Sequence, residues 1–127
     1  MMKYLAAGLV LSTFAFAPYA AIAATAAPAM LGTTSMGKLM VDAHGMTLYT
    51  YDKDKIGKST CVGQCAVEWP PLTAARGAKA SGAWTLVARA DGSKVWAYKG
   101  HALYTFKEDK KAGDVTGDGK DGFHVVK

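Results

Sequence analysis

A ten-residue string recurs 55 positions downstream in this chain. Gly45-Met46-Thr47-Leu48-Tyr49-Thr50-Tyr51-Asp52-Lys53-Asp54 is matched by Gly100-His101-Ala102-Leu103-Tyr104-Thr105-Phe106-Lys107-Glu108-Asp109. Gly, Leu, Tyr, Thr, an aromatic residue and the final Asp return in the same order. With one slipped residue the match continues through Gly57 and Gly113, Thr60 and Thr116, and Gly63 and Gly119. More loosely, Trp69-Pro70-Pro71-Leu72 falls against Phe123-His124-Val125-Val126. The two units span residues 38–72 and 93–126. A unit this short cannot bury its apolar face alone, so each copy is expected to cover the other.

Each unit reads as β-structure. Lys38–Asp42 and Thr47–Tyr51 are short runs of β-formers on either side of Ala43-His44-Gly45-Met46, a glycine-containing turn. The second copy repeats the hairpin with Lys94–Tyr98, the turn Lys99-Gly100 and Ala102–Phe106. An additional strand, Trp84–Arg89, enters through Asp91-Gly92, a strong hairpin signal, and Phe123–Val126 closes the domain. Alternation places Tyr49 and Tyr51 on one face, Trp96 and Tyr98 on one face, and Leu48 and Leu103 on the side opposite the tyrosines. Apolar residues on both faces require cover on both sides. The expected fold is therefore mainly β: a compact sandwich- or barrel-like domain with a short helical turn between Cys61 and Trp69, stopped by Pro70-Pro71.

The N-terminus has the pattern of an export signal. Met1-Met2-Lys3 is followed by an uncharged apolar run from Tyr4 to Ala17, too short for a membrane span, and then by Ala21-Ile22-Ala23, the small-residue form that signal peptidase accepts. The expected organisation is a signal peptide over residues 1–23, cleaved after Ala23, a flexible leader over 24–37, and one domain over 38–127. No cysteine follows the apolar run, so no lipid anchor and no stable membrane attachment is expected. The expected location is the periplasm or the exterior. Cleavage removes Lys3 and no acid from 15 basic and 10 acidic residues, leaving a net charge of +4. The lysines are interleaved with acids and the arginines are only Arg76 and Arg89, so nucleic acid is not an expected partner.

The string Tyr49-Thr50-Tyr51-Asp52-Lys53-Asp54 and its copy, with the segment Cys61-Val62-Gly63-Gln64-Cys65-Ala66-Val67-Glu68-Trp69-Pro70-Pro71, resemble the family of bacterial secreted repeats and lipoproteins marked by the Y-x-(FWY)-x-x-D motif. The resemblance covers nearly the whole mature chain. It implies an envelope location and no particular activity. The lipidated cysteine carried by many members is absent here.

The motif admits two readings. As a strand-and-turn device, Asp54 and Asp109 accept backbone N–H groups or a tyrosine hydroxyl. As a binding surface, Tyr49, Tyr51, Asp54, Trp69, Tyr104, Phe106 and Asp109 would line a groove for a cationic or planar ligand. Cys61 and Cys65, the only cysteines, are expected to form a disulfide in an oxidising compartment. A redox-active pair remains open, although C-x-x-C is the commoner spacing for that role. His44, Met46 and His101 are the candidates for a soft metal ion. Asp114–Gly119 begins like a calcium loop, but Val125 stands where the bidentate glutamate is needed. No catalytic signature occurs, and no cofactor is expected. The leading expectation is a non-catalytic binding or interaction module whose partner is an envelope component or a small ligand. The alternatives are a metal-, haem- or redox-related accessory protein, which needs His44, His101 or the methionines to converge, and an oxidative-stress protein, which needs Met36, Met40 and Met46 exposed.

Overall fold

The computed structural model describes residues 27–127, so the expected signal peptide over residues 1–23 and its expected cleavage point lie outside the described residues. The strands are β1 (Ala29–Thr34), β2 (Gly37–Asp42), β3 (Tyr49–Tyr51), β4 (Trp84–Ala88), β5 (Lys94–Tyr98), β6 (His101–Ala102) and β7 (Phe123–Val125). Among the described residues a single short helix, α1 (Gln64–Glu68), lies between β3 and β4. Among the described residues the strands form three small antiparallel sheets, β1-β2, β3-β7 and β4-β5-β6, a mainly β arrangement without a closed barrel.

The expected hairpins form, but their strands change partners early. Asp42 N–H bonds the Met46 carbonyl and Leu48 N–H the Met40 carbonyl, closing the base of the first hairpin. Beyond Leu48 the chain leaves that partner, and β3 pairs with β7 in the register Tyr49↔Val125, Tyr51↔Phe123. In the second copy β5 pairs with β6 at Ala97↔Ala102 and Tyr98↔His101, and Tyr104 then bridges both Tyr49 and Pro71. Asp91-Gly92 makes the expected turn, with β4 and β5 paired from Trp84↔Tyr98 to Ala88↔Lys94.

The turn glycines recur for a packing reason as well as a conformational one. Gly45 and Gly100 both have positive φ, 79° and 86°. A Cβ there would lie 2.9 Å from the Ala112 Cβ or 2.7 Å from the Ile56 Cγ2. Each turn is also held by the other repeat: Gly113 N–H bonds the Gly45 carbonyl, and Gly57 N–H bonds the Gly100 carbonyl.

One expectation needs correction. Residues 29–34, read as part of a flexible leader, form β1 and pair along their whole length with β2, from Ala29↔Asp42 to Thr34↔Gly37. Ala29 and Thr34 are buried. The segment Ala29-Met30-Leu31-Gly32-Thr33-Thr34 has no alternation to betray it, yet it stands 55 positions before β4. The structural unit is therefore a β-hairpin plus a crossing strand in both copies.

The two repeats exchange their closing segments. Leu72, at the end of the first repeat, donates to the Leu103 carbonyl and accepts from Trp96 N–H, both in the second. Val126, at the end of the second repeat, accepts from Met40 N–H in the first. Lys107 N–H bonds the Glu68 carbonyl, and the equivalent Asp52 N–H bonds the Gly122 carbonyl. Where the repeats meet, Tyr49 and Tyr104 exchange both backbone bonds, at 2.8 and 2.9 Å. These reciprocal bonds relate the repeats by an approximate two-fold axis.

Candidate functional site

The aromatic residues of the repeats converge on that axis. Tyr51, Phe123, Trp69 and Phe106 stack in sequence, with ring centroids 4.3, 3.8 and 4.0 Å apart and interplanar angles of 10°, 4° and 19°. The order is symmetric, because Tyr51 and Phe106 are repeat equivalents, as are Trp69 and Phe123. Tyr49 meets Trp69 edge-on at 5.2 Å, and Tyr104 meets Phe123 edge-on at 5.3 Å. Each such pair adds about 0.5–1.5 kcal/mol beyond the area it buries. Lys120 Nζ lies 5.3 Å from the Phe106 centroid at one end of the stack. Gly117 lets the stack close, because a Cβ there would sit 2.6 Å from the Trp69 Cη2 and 2.8 Å from the Phe106 Cδ2.

The tyrosine hydroxyls cross to the opposite repeat. Tyr49 donates to Asp109 Oδ2 at 2.7 Å, and Tyr104 donates to Asp54 Oδ2 at 2.6 Å. The second carboxylate oxygen is held identically in both copies. Asp54 Oδ1 accepts from the Thr60 N–H and hydroxyl, and Asp109 Oδ1 from the Thr116 N–H and hydroxyl, all between 2.6 and 2.8 Å. The Tyr and the Asp of one motif are therefore not partners of each other; each serves the other copy. Ser59 Oγ lies 2.7 Å from the Tyr104 hydroxyl. That hydroxyl's proton goes to Asp54, so the serine donates. Ser59 accepts in turn from Arg89 Nη1 at 2.7 Å, while Arg89 Nη2 donates to the Cys61 carbonyl at 2.8 Å.

Burial, and secondarily the bond to a carboxylate, hold the hydroxyls of Tyr49 and Tyr104 well above the ordinary phenol range. A raised folded-state value means that the neutral form is the one the fold favours. The resulting stability is complete below the unfolded-state value of about 10 and is lost as pH rises toward the folded-state value. Monitored by phenolate absorbance, Tyr49 and Tyr104 are expected to ionise only together with loss of near-ultraviolet circular dichroism. Tyr49→Phe and Tyr104→Phe should each reduce the alkaline slope of stability. Ionisation of all tyrosines near pH 10 with the fold intact would contradict the buried network.

The residues singled out from sequence separate in space. Tyr49, Trp69, Tyr104, Phe106, Asp54 and Asp109 are buried in the joint between repeats, and Tyr51 is half-buried. They do come together, but as a core with its polar lock rather than as an open groove. His44 and His101 are exposed and Met46 is half-buried. Among the described residues no three His, Cys, Asp or Glu side chains gather where they could hold a metal ion. Of the methionines named above, Met36 is exposed but Met40 is buried. Asp114 and Asp118 serve as turn acceptors, for the N–H groups of Lys110 and Lys111 and of Val125 respectively.

Cys61 and Cys65 are joined, with Cα atoms 5.2 Å apart. Cys61 is 1% exposed and belongs to the core, whereas Cys65 is half-buried. Cys65 lines an open cavity of about 420 Å³ with Tyr51, Lys53, Glu68, Trp69, Asp121 and Phe123. The open cavity thus takes one end of the aromatic stack as its wall. Lys53, Glu68 and Asp121 were not singled out from sequence. Their signal was their place beside the motif and the cysteine segment. The Trp69 Nε1 is buried and has no hydrogen-bond partner among the described residues.

A duplicated, interlocked β unit built around the Tyr–Asp exchange defines a class of two-repeat β domain. The family model described as "secreted repeat of unknown function" matches residues 30–73 and 85–126, and the chain belongs to that family. Both matched segments begin within the first strand of a structural repeat, β1 and β4. No curated protein and no solved structure matches the chain. No helix among the described residues is long and apolar enough to cross a membrane.

Proposed function

We propose that this protein is an exported, non-catalytic binding module of the cell envelope and that the cavity beside Tyr51 is its ligand site. The observation that carries this reading is the composition of the cavity. Its wall is the half-buried end of a rigid four-ring stack, and two carboxylates, Glu68 and Asp121, face it with a single ammonium, Lys53. Its volume falls within the range of small-molecule sites. An aromatic face in a cavity of net negative formal charge suits a planar organic cation. The stack is held from both repeats, so the ring that meets the ligand is positioned before binding.

The test is a titration of isotope-labelled mature protein with phenol, indole and benzyltrimethylammonium, read by amide chemical shifts. The aromatic cation should bind more tightly than the neutral rings, with shifts confined to the neighbourhood of Tyr51, Lys53, Glu68 and Asp121. Tyr51→Ala should weaken it by about tenfold. Shifts scattered over the surface, or unchanged affinity in Tyr51→Ala, would refute the site.

A further inference from the structure

The two repeats build the same joint, but only one of them uses a disulfide to do so. From the threonine that caps the aspartate, the first repeat reaches Trp69 nine residues on, and the second reaches Phe123 seven residues on. Gly117 stands directly after Thr116 where Cys61 follows Thr60, and the second segment contains no cysteine. Both segments nonetheless deliver a threonine to an aspartate, a ring to the stack and a carbonyl to the facing strand. The second copy thus reaches the same local arrangement with no cysteine in its segment. Closing a loop as short as Cys61–Cys65 adds only about 2 kcal/mol in the chain-entropy view.

The surroundings of the two sulfurs are unequal. Cys65 opens on the cavity, while Cys61 is buried in the aromatic core and its carbonyl accepts from Arg89 Nη2. A thiolate can therefore reach Cys65 from the cavity side, whereas Cys61 is covered by the core.

We infer that Cys61–Cys65 is an exchangeable redox pair that a dithiol reductant opens in the native fold, entering at Cys65. A thiolate of the reductant attacks the Cys65 sulfur. The Cys61–Cys65 bond breaks, its electron pair leaves on Cys61, and a mixed disulfide joins Cys65 to the reductant. The reductant's second thiolate then attacks its own sulfur in that bond. It departs as a closed disulfide and releases Cys65 as a thiolate. Two electrons pass to the cysteine pair, and the two protons from the reductant's thiols go to the cysteines or to solvent. This inference stands independently of whether the cavity takes a ligand.

The experiment treats folded mature protein with dithiothreitol, quenches with a maleimide and counts labelled cysteines by mass. Near-ultraviolet circular dichroism follows the aromatic stack in parallel. Reduction should go to completion with the stack signal retained, at a rate unaffected by urea below the unfolding transition. With glutathione in place of the dithiol, the trapped mixed disulfide should sit on Cys65. Trapping on Cys65 needs no substitution, so it decides the matter on the protein as it stands. Reduction only as the protein unfolds, or adducts formed equally on Cys61, would overturn the inference.

Discussion

Asp109→Ala is expected to destabilise the domain by about 3–5 kcal/mol, a large share of the roughly 5–15 kcal/mol that holds a domain of this size. The carboxylate is buried and accepts three bonds, from the Tyr49 hydroxyl and from the Thr116 N–H and hydroxyl. Alanine removes all three and strands a phenol that is fully buried. Gly117 N–H reaches that oxygen at 3.3 Å, but as a donor, and so cannot take up its proton. Asp54→Ala should behave similarly through Tyr104 and Thr60, with some relief from Ser59. Urea denaturation of single and double variants separates the possible pairings. Tyr49→Phe should couple to Asp109→Ala by more than about 1 kcal/mol and be nearly additive with Asp54→Ala. The reverse pattern would mean that each motif is self-contained and that the reciprocal arrangement is wrong.

The second large effect concerns the chain as a whole. Cut between Ala78 and Lys79, neither half is expected to fold as a monomer, and the two should recover β-structure when mixed at equal concentration. The cut divides the β3-β7 sheet between the halves and parts the Tyr104 bridges from Tyr49 and Pro71. Each half also exposes half of the aromatic stack and an aspartate whose tyrosine partner is elsewhere. Circular dichroism of the separate and mixed halves, with sedimentation to give their mass, tests this. A folded, monomeric half would show that the exchange of closing segments is dispensable.

Much of the architecture was legible because its signals are local. Turn glycines at Gly45, Asp91-Gly92 and Gly100 mark the hairpins, and Pro70-Pro71 follows closely on the helical turn at Gln64–Glu68. Period-two alternation correctly set Tyr49 and Tyr51 against one cluster and Leu48 and Leu103 against the other. β1 was missed because it packs small residues and leaves Met30 and Leu31 exposed, which erases the alternation. The 55-residue offset that relates the motifs would have recovered it, since Ala29–Thr34 falls on Trp84–Arg89 and Gly37 on Gly92. The crossing of the tyrosines was illegible in principle. Two copies of one motif offer each tyrosine two chemically equal aspartates, and only the exchange of strands in space selects the distant one. The buried state of Trp69, Tyr104 and Phe106 follows from the same exchange, which turned an anticipated surface into a joint.

That joint also governs how such a chain can change. A substitution at Tyr49 is felt at Asp109, in the other copy, so the duplicated halves are not free to diverge separately after duplication. Nor can the domain grow by one unit at a time, because a third copy would arrive with a tyrosine, an aspartate and a closing strand that no neighbour is left to satisfy. Lengthening of this architecture should proceed in twos, each new pair sealing its own axis before it can serve as a bead in a longer array.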